Sequence, residues 1–456
     1  MNLDSLFTFV DHHFLRTTEQ RVKVARQLRR GTVSRLQRAK FRHLVRYLGK
    51  HSRFYRQKFR DYGINPRKVR CHADLGDFFT TADDLRKVPI EDFLCARPEF
   101  GFETTGTSLG VNKRVYFSYA EMEEYGRDGA VGLWNLGLRP EDTVADGFDY
   151  SFWNAPFTAF YTIKAMRAFH VIGAFVEPRE FYERIRVYKP TVIMGVPTHL
   201  VRVTEVAEQE GVWPVKFLML GGENLSERTR QYIESVWKAK VYLSYGQTEA
   251  FGANGIECPE KGGYHVSDLS LVTDIDQPDE EGYGEMVYST LGRSVMPVLR
   301  YRSADITRWA HRPGSASTGP GEDGACNCLL KMMPRVAKIV GRSDELINCS
   351  MGNISPYWFE EMLRDIPEVT DDWQVVVRRG ERDDRIEFHL ELRPAASAEQ
   401  VQAHLFKNIQ ERFPDCWRYY TKKFFEFDFQ FHEPRSLGGG RKLRRLIDAR
   451  TRAWND

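Results

Sequence analysis

A chain of 456 residues exceeds what a single hydrophobic core usually holds, so two or three domains are expected. Hydrophobic residues at 42% and aromatics at 13% exclude a disordered protein. The 66 Lys and Arg against 63 Asp and Glu, a formal charge of +3, give no global ground for nucleic-acid or membrane binding.

No apolar run approaches the ~20 residues needed to span a bilayer. Met1-Asn2-Leu3-Asp4-Ser5 lacks the basic and apolar regions of a secretory signal. Seven cysteines, scattered apart from Cys326-Asn327-Cys328, speak for a reduced, cytoplasmic setting rather than a disulfide framework.

In chain order, Leu3 to about Arg60 is predicted largely helical, with Gly31 and Gly49 as breaks. Its Arg-rich stretch, Arg21 to Arg42, reads as the solvated face of helices whose apolar positions include Leu28, Val33, Leu36, Phe41, Leu44 and Val45. An RNA-binding arm is the competing reading. Thr80-Thr81-Ala82-Asp83-Asp84 offers a Thr to cap the next helix.

From about Thr143 to Tyr301, short apolar runs (Thr191 to Gly195, Phe217 to Leu220, Lys240 to Ser244) alternate with helical segments such as Ser226 to Trp237. That alternation predicts an α/β body, a mixed or parallel sheet covered by helices. A Gly/Ser/Pro-rich insertion lies between Ala310 and Gly324. Beyond it, strands at Trp373 to Arg378 and Arg385 to Leu392 and an amphipathic helix at Ser397 to Phe413 predict a small α+β domain. The expected domains are 1–343, with 1–90 as a helical entry region, and 344–456.

Five fragments carry chemistry. Thr104-Thr105-Gly106-Thr107-Ser108-Leu109-Gly110-Val111-Asn112-Lys113 supplies hydroxyls, glycines and backbone N–H groups able to wrap phosphate oxygens. It is not the GxxxxGK[ST] loop, so a P-loop fold is not implied. Gly221-Gly222-Glu223-Asn224 and Tyr245-Gly246-Gln247-Thr248-Glu249 each follow a strand-like run, the ligand-facing position of an α/β sheet. Tyrosine stacks on a purine, and a carboxylate beside it can hold Mg²⁺. Arg300-Tyr301-Arg302-Ser303-Ala304-Asp305 adds an acid for ribose hydroxyls, and Val340-Gly341-Arg342-Ser343-Asp344-Glu345 stands where the small domain begins.

In order, spacing and strand context these five resemble the adenylate-forming superfamily of acyl-CoA synthetases, luciferases and peptide-synthetase adenylation domains. Within it the chain looks most like the phenylacetate–CoA ligase group. Matches are His51-Ser52-Arg53-Phe54-Tyr55-Arg56-Gln57-Lys58-Phe59, Lys189-Pro190-Thr191, Val196-Pro197-Thr198, Glu257-Cys258 and Gly263-Tyr264-His265-Val266. The resemblance runs from about Leu28 to the C-terminus.

It implies an ATP- and Mg²⁺-dependent ligase that converts a small carboxylic acid, aromatic by preference, to an acyl-adenylate and passes it to a thiol. Thr104, Thr105, Gly106, Thr107, Ser108, Gly110 and Lys113 would form the phosphate loop. Glu249 would hold Mg²⁺, Thr248 would touch the α-phosphate, and Tyr245 with Gly246 would lie beside the adenine near Gly222 and Glu223. Asp305 and Arg342 would approach the ribose, Asp344 would be the hinge, and Lys442 the adenylation lysine. Attack of a carboxylate on the α-phosphorus brings two anions together, so Mg²⁺ and Lys442 supply charge where it is needed. Against this stands the plainer reading of Lys442 as one cation of a basic helix, Arg441 to Arg450.

The acid pocket is expected from Phe148, Tyr150, Phe152, Trp153, Phe157 and Phe160, with Gly195 and Val196 as a second wall. For most single aromatics plain core is the competing reading. Cys258, His265, Cys326 and Cys328 have the composition of a structural zinc site; four reduced, unliganded side chains are the alternative.

Five positions depart from the family pattern. Leu109 is an extra residue in the phosphate loop, Asn112 replaces proline, and Arg441 replaces glycine before the lysine. Ser350-Met351 stands where an arginine–glycine pair closes over the thiol tunnel. The acceptor is thus left open among CoA, a carrier-protein thiol, an amine and no acceptor at all. An amide-forming or nucleotidyl-transferring relative and a degenerate scaffold are the other readings. No nucleic-acid or membrane partner is expected, and the chain would be a monomer or homodimer.

Overall fold

The computed structural model describes residues 15–104, 113–223, 225–250, 252–313, 326–345, 347–380, 384–394, 396–438 and 443–450. The chain divides into two compact units: Met1–Ser303 with Thr307–Lys338, and Ala304–Ile306 with Ile339–Asp456.

The first unit opens with helices Thr18–Gln27, Arg30–His51 and Arg53–Asp61. Neither predicted glycine break occurs: Arg30–His51 runs through both Gly31 and Gly49. The real breaks are Leu28 and Ser52, whose extended backbone interrupts the helical ladder. Gly49 instead permits close approach, since a Cβ there would lie 2.9 Å from Pro66 Cγ. Thr81 does cap Ala82–Lys87, in a reciprocal capping box with Asp84.

The centre is a nine-stranded mixed sheet. From one edge, Phe169–Ile172, Thr143–Asp146, Val192–Gly195, Phe217–Gly221 and Lys240–Gln247 run parallel. Gly252–Ile256, Tyr264–Val266, Arg335–Val336 and Trp309–His311 complete it in antiparallel pairing. Helices Ala155–Met166, Pro178–Ile185, Pro197–Glu210 and Glu227–Trp237 intervene between the parallel strands, as crossover connections require. Val192, Ile193, Leu218, Leu220 and Val241 are fully buried, the continuous apolar pattern of strands covered on both faces.

In the first unit Leu271–Asp276 also pairs antiparallel with Gly284–Thr290, and in the second Gly341–Arg342 pairs antiparallel with residues 305–306.

The second unit has its own core, including Ile354, Phe359, Val375, Phe388, Leu405 and Ile409. Its sheet orders Phe425–His432, Asp384–Leu392, Val369–Arg379 and Leu446–Asp448, with helices Pro356–Met362, Ala398–Arg412 and Pro414–Thr421. Leu446–Asp448 being a strand, the basic-helix reading of Arg441 to Arg450 does not hold for that part. Among the described residues no helix is long and apolar enough to cross a membrane.

Candidate active site

Two of the parallel strands, Val192–Gly195 and Phe217–Gly221, finish on glycine, and space is the reason. A Cβ on Gly195 would lie 2.2 Å from Leu200 Cδ2, and one on Gly221 2.3 Å from Ser244 Oγ. Such strand ends are where ligands meet an α/β sheet. The Tyr245-Gly246-Gln247 motif, expected just after a strand, is instead its last stretch. The 3₁₀ turn Thr248–Ala250 follows and buries Glu249.

Glu249 is 3% exposed and forms an ion pair with Lys113. The Tyr301 hydroxyl donates to Glu249 Oε1 at 2.9 Å, and Lys113 Nζ donates to that hydroxyl at 3.3 Å. Burial pushes the Glu249 carboxyl up, but the Lys113 charge and these hydrogen bonds hold it below its usual 4.5. Buried Arg293 closes the back of the site: its guanidinium donates to the backbone oxygens of Glu249 and Tyr116, both at 2.9 Å, and lies 4.2 Å from the Phe117 ring centre. Desolvation pulls Arg293 down to about 10. The Thr248 hydroxyl donates to Asn154 Oδ1 at 3.3 Å, and Gln247 bridges Tyr288 and the Ser303 carbonyl.

Two further predicted nucleotide residues adjoin the strand ends. Gly222 has φ +87°, the left-handed region where glycine costs least. Glu223 Oε2 accepts the Thr198 N–H at 3.0 Å, satisfying a donor at the start of Pro197–Glu210. Tyr245 is half-buried, its ring 5.9 Å from that of Tyr264. Thr104 pairs through backbone with Lys113, closing the base of the expected phosphate loop. Thr105 to Asn112, Gly440, Arg441 and Lys442 lie outside the described residues.

The expected acid-pocket aromatics divide. Phe148 and Val196 are buried core side chains, Phe152 is 73% exposed, and Tyr150, Trp153, Phe157 and Phe160 are half-buried. Tyr150 and Phe157 meet edge-to-face at 5.6 Å, and Phe157 extends to Phe102 at 5.3 Å. At the end of Thr143–Asp146, fully buried Asp146 accepts the Tyr150 hydroxyl at 3.0 Å and pairs with His170. Burial and that neighbouring carboxylate push the Tyr150 hydroxyl up.

In the second unit Asp305 and Arg342 face each other across antiparallel strands. Arg342 Nη1 donates to Asp305 Oδ1 at 2.7 Å, while its Nε and Nη2 grip Asp344 at 2.8 and 2.9 Å. The predicted ribose acid, its companion and the predicted hinge thus share one guanidinium. Met351 turns inward and is 7% exposed, in the small unit's core. Ser350 binds Asp384 Oδ2 through its N–H and hydroxyl at 2.7 and 3.0 Å.

Cys258, His265, Cys326 and Cys328 converge, their ligand atoms all within 4.8 Å of one another. His265 Nε2 is 3.2 Å from Cys326 Sγ and 3.4 Å from Cys328 Sγ. Its Nδ1 faces the Met333 carbonyl at 3.2 Å, a partner that leaves Nε2 for a metal.

Comparison with known proteins bears on the fold and the family. A family model described as AMP-binding enzyme matches residues 148–287. Phenylacetate-coenzyme A ligase of Thermus thermophilus is 27% identical over 460 residues, covering 93% of this chain and 98% of the relative. That of Pseudomonas putida is 25% identical over 361 residues, covering 74% and 77%. A crystal structure of 2-hydroxyisobutyryl-CoA ligase with 2-HIB-AMP in the postadenylation state superposes with a TM-score of 0.76 at 20% identity, over 91% of this chain and 89% of that one. Fold and comparisons together define an adenylate-forming ligase. The chain carries an AMP-binding enzyme region and is similar over nearly its whole length to a phenylacetate–coenzyme A ligase.

Three groups escaped the sequence reading. Tyr301 stood inside a quoted motif without a role, although its neighbourhood was the available signal. Arg293 and the Asp146–His170 pair carried none, because each derives its meaning from partners distant in sequence.

Proposed function

We propose that this enzyme uses ATP to convert a small, aromatic-leaning carboxylic acid to its acyl-adenylate and transfers the acyl group to a thiol. The observation that carries the reading is the buried Lys113–Glu249–Tyr301 group at a strand end of the sheet. A carboxylate this deeply buried needs a cation. Glu249 would hold Mg²⁺, and Lys113 would then be free to contact phosphate oxygens. One protein carboxylate plus substrate phosphates is a usual Mg²⁺ environment. The ion supplies positive charge to the phosphates. Lys442 is assigned the cation at the developing charge, Asp305 and Arg342 the ribose, and Asp344 the hinge. Thr248 and residues 104–113 are assigned to the phosphates, and Gly222, Glu223, Tyr245 and Gly246 to the adenine side.

The aromatic preference rests on the names of the relatives and on the Tyr150–Phe157–Phe102 contacts. The relatives are CoA ligases, which supports CoA as acceptor. Ser350 and Met351, where the family has arginine and glycine, favour a thiol presented differently, on a carrier protein. The seven free cysteines fit a cytoplasmic setting.

Pyrophosphate release over a panel of aromatic and aliphatic acids, with CoA, hydroxylamine or neither, tests the reading. Acid-dependent release is expected. Release with hydroxylamine but no thioester from any thiol would select an amide-forming relative; no release with any acid would select a scaffold.

We also propose a structural zinc at Cys258, His265, Cys326 and Cys328. Three thiols and an imidazole fit that ion, and the donor separations approach the ~3.5–3.8 Å edges of its tetrahedron. It would tie Tyr264–Val266 to the chain entering Arg335–Val336. Metal content well below one zinc per chain after mild purification would count against it.

A further inference from the structure

Residues 20–60 contain fifteen Lys and Arg and no Asp or Glu. The rest of the chain is left with 51 Lys and Arg against all 63 Asp and Glu. Such segregation exceeds what a solvated helix face needs, because solubility is served by mixed charge.

Helix Arg30–His51 separates its cations by use. Val33, Phe41, Leu44, Val45 and Leu48 anchor one face in the core. Flanking polar groups serve internal contacts: Arg30 pairs with Asp268, Lys40 Nζ donates to the Leu269 carbonyl at 2.9 Å, and the Tyr47 hydroxyl to Ser294 O at 2.9 Å. The outer face differs. Arg35, Arg38, Arg42, Arg46 and Lys50 are all exposed, and no carboxylate pairs with any of them among the described residues. Spaced three, four, four and four residues apart, they form a row that slants across one side of the helix over about 22 Å. Like charges at these spacings destabilise a helix. Arg56 and Arg60 of the next helix are likewise exposed, without a carboxylate partner among the described residues.

We propose that this row docks an acidic protein that carries the acyl-accepting thiol. The inference rests on the thiol-transfer reading above and names the partner. Charge complementarity selects a polyanion, and arginine selects oxyanions it can grip bidentately. A partner helix with carboxylates at i, i+4 and i+8 repeats the same ~6 Å spacing. A long nucleic acid fits less well, because beyond the row it meets a chain with excess acid. In the transfer, the partner's thiolate attacks the adenylate carbonyl, a C–S bond forms, and the C–O bond to phosphate breaks. AMP leaves with that electron pair, and the thiol proton goes to solvent.

The test uses full-length protein and the triple variant Arg38→Gln/Arg42→Gln/Arg46→Gln, with a phosphopantetheinylated acidic carrier protein, free CoA and hydroxylamine as acceptors. The variant should raise KM for the carrier protein about tenfold or more, the size of electrostatic steering effects. Transfer to CoA and hydroxylamine should be unchanged, as should pyrophosphate release. The Arg→Lys triple variant should keep most carrier transfer, and wild-type transfer should weaken with salt. Carrier transfer unmoved by the neutral variant overturns the proposal while leaving acid activation standing. So does salt-sensitive binding of RNA or anionic vesicles without carrier transfer. Absence of pyrophosphate release with every acid overturns the activation reading itself, and this inference with it.

Discussion

Lys113 and Glu249 show how much one residue's role depends on its partner. Lys113→Ala leaves a buried carboxylate uncompensated and should destabilise the fold by about 3–5 kcal/mol. Glu249→Gln keeps the hydrogen bond from Tyr301 and should cost less stability, yet lower adenylation about 10²-fold. Urea unfolding and pyrophosphate release on both variants check the pair of outcomes. Lys442→Ala should reduce adenylation by ~10²-fold or more with an unchanged melting temperature; unchanged adenylation would remove its assignment.

His72 supplies a pH signature. It is 8% exposed, faces the Arg300 guanidinium and touches Ser289 Oγ at 2.8 Å. Burial, with help from Arg300, pulls its imidazole from 6.5 to about 3. The unfolded chain therefore binds the extra proton first, so stability falls as pH drops from 6.5 toward 3, by up to ~1.4 kcal/mol per unit. Melting temperatures of wild type and His72→Leu should converge on acidification; parallel curves would refute this source.

At the scale of elements, close approach sets the tolerances. Helices Tyr119–Leu136 and Ala155–Met166 meet at Gly126, where a Cβ would lie 2.4 Å from the Tyr161 carbonyl oxygen. Gly126→Ala must push backbone apart and should cost about 1–3 kcal/mol despite alanine's better helix propensity. Gly31, with nothing within 4 Å of a Cβ, should accept the same change with neutral or slightly raised stability. By sequence alone Gly31 and Gly49 look alike as helix breaks. Composition cannot separate them, because the difference lies in Pro66, which only the fold brings near Gly49.

Across the whole molecule, the Cys258, His265, Cys326 and Cys328 group bears on the antiparallel half of the central sheet. If zinc binds there, prolonged chelation should lower the melting temperature by about 5 °C or more, and stoichiometric zinc should restore it. The site was legible as residue types, since three thiols and an imidazole are a metal composition wherever they meet. The separations were not, because Cys258 and Cys326 belong to separate stretches that strand order brings within ligand distance.

What the amino-acid order determined by itself was local: strands from apolar runs, helices from their period, caps such as Thr81, and strand-end motifs that mark an adenylate-forming ligase. These depend on neighbours within a few residues and survive without tertiary context. The tertiary structure decided which distant groups meet: Lys113 with Glu249 and Tyr301, Arg342 with Asp305, Asp146 with His170. It also decided which aromatics are core and which arginines are left facing water. Burial and pairing are properties of contacts between remote segments, and local pattern carries no record of them.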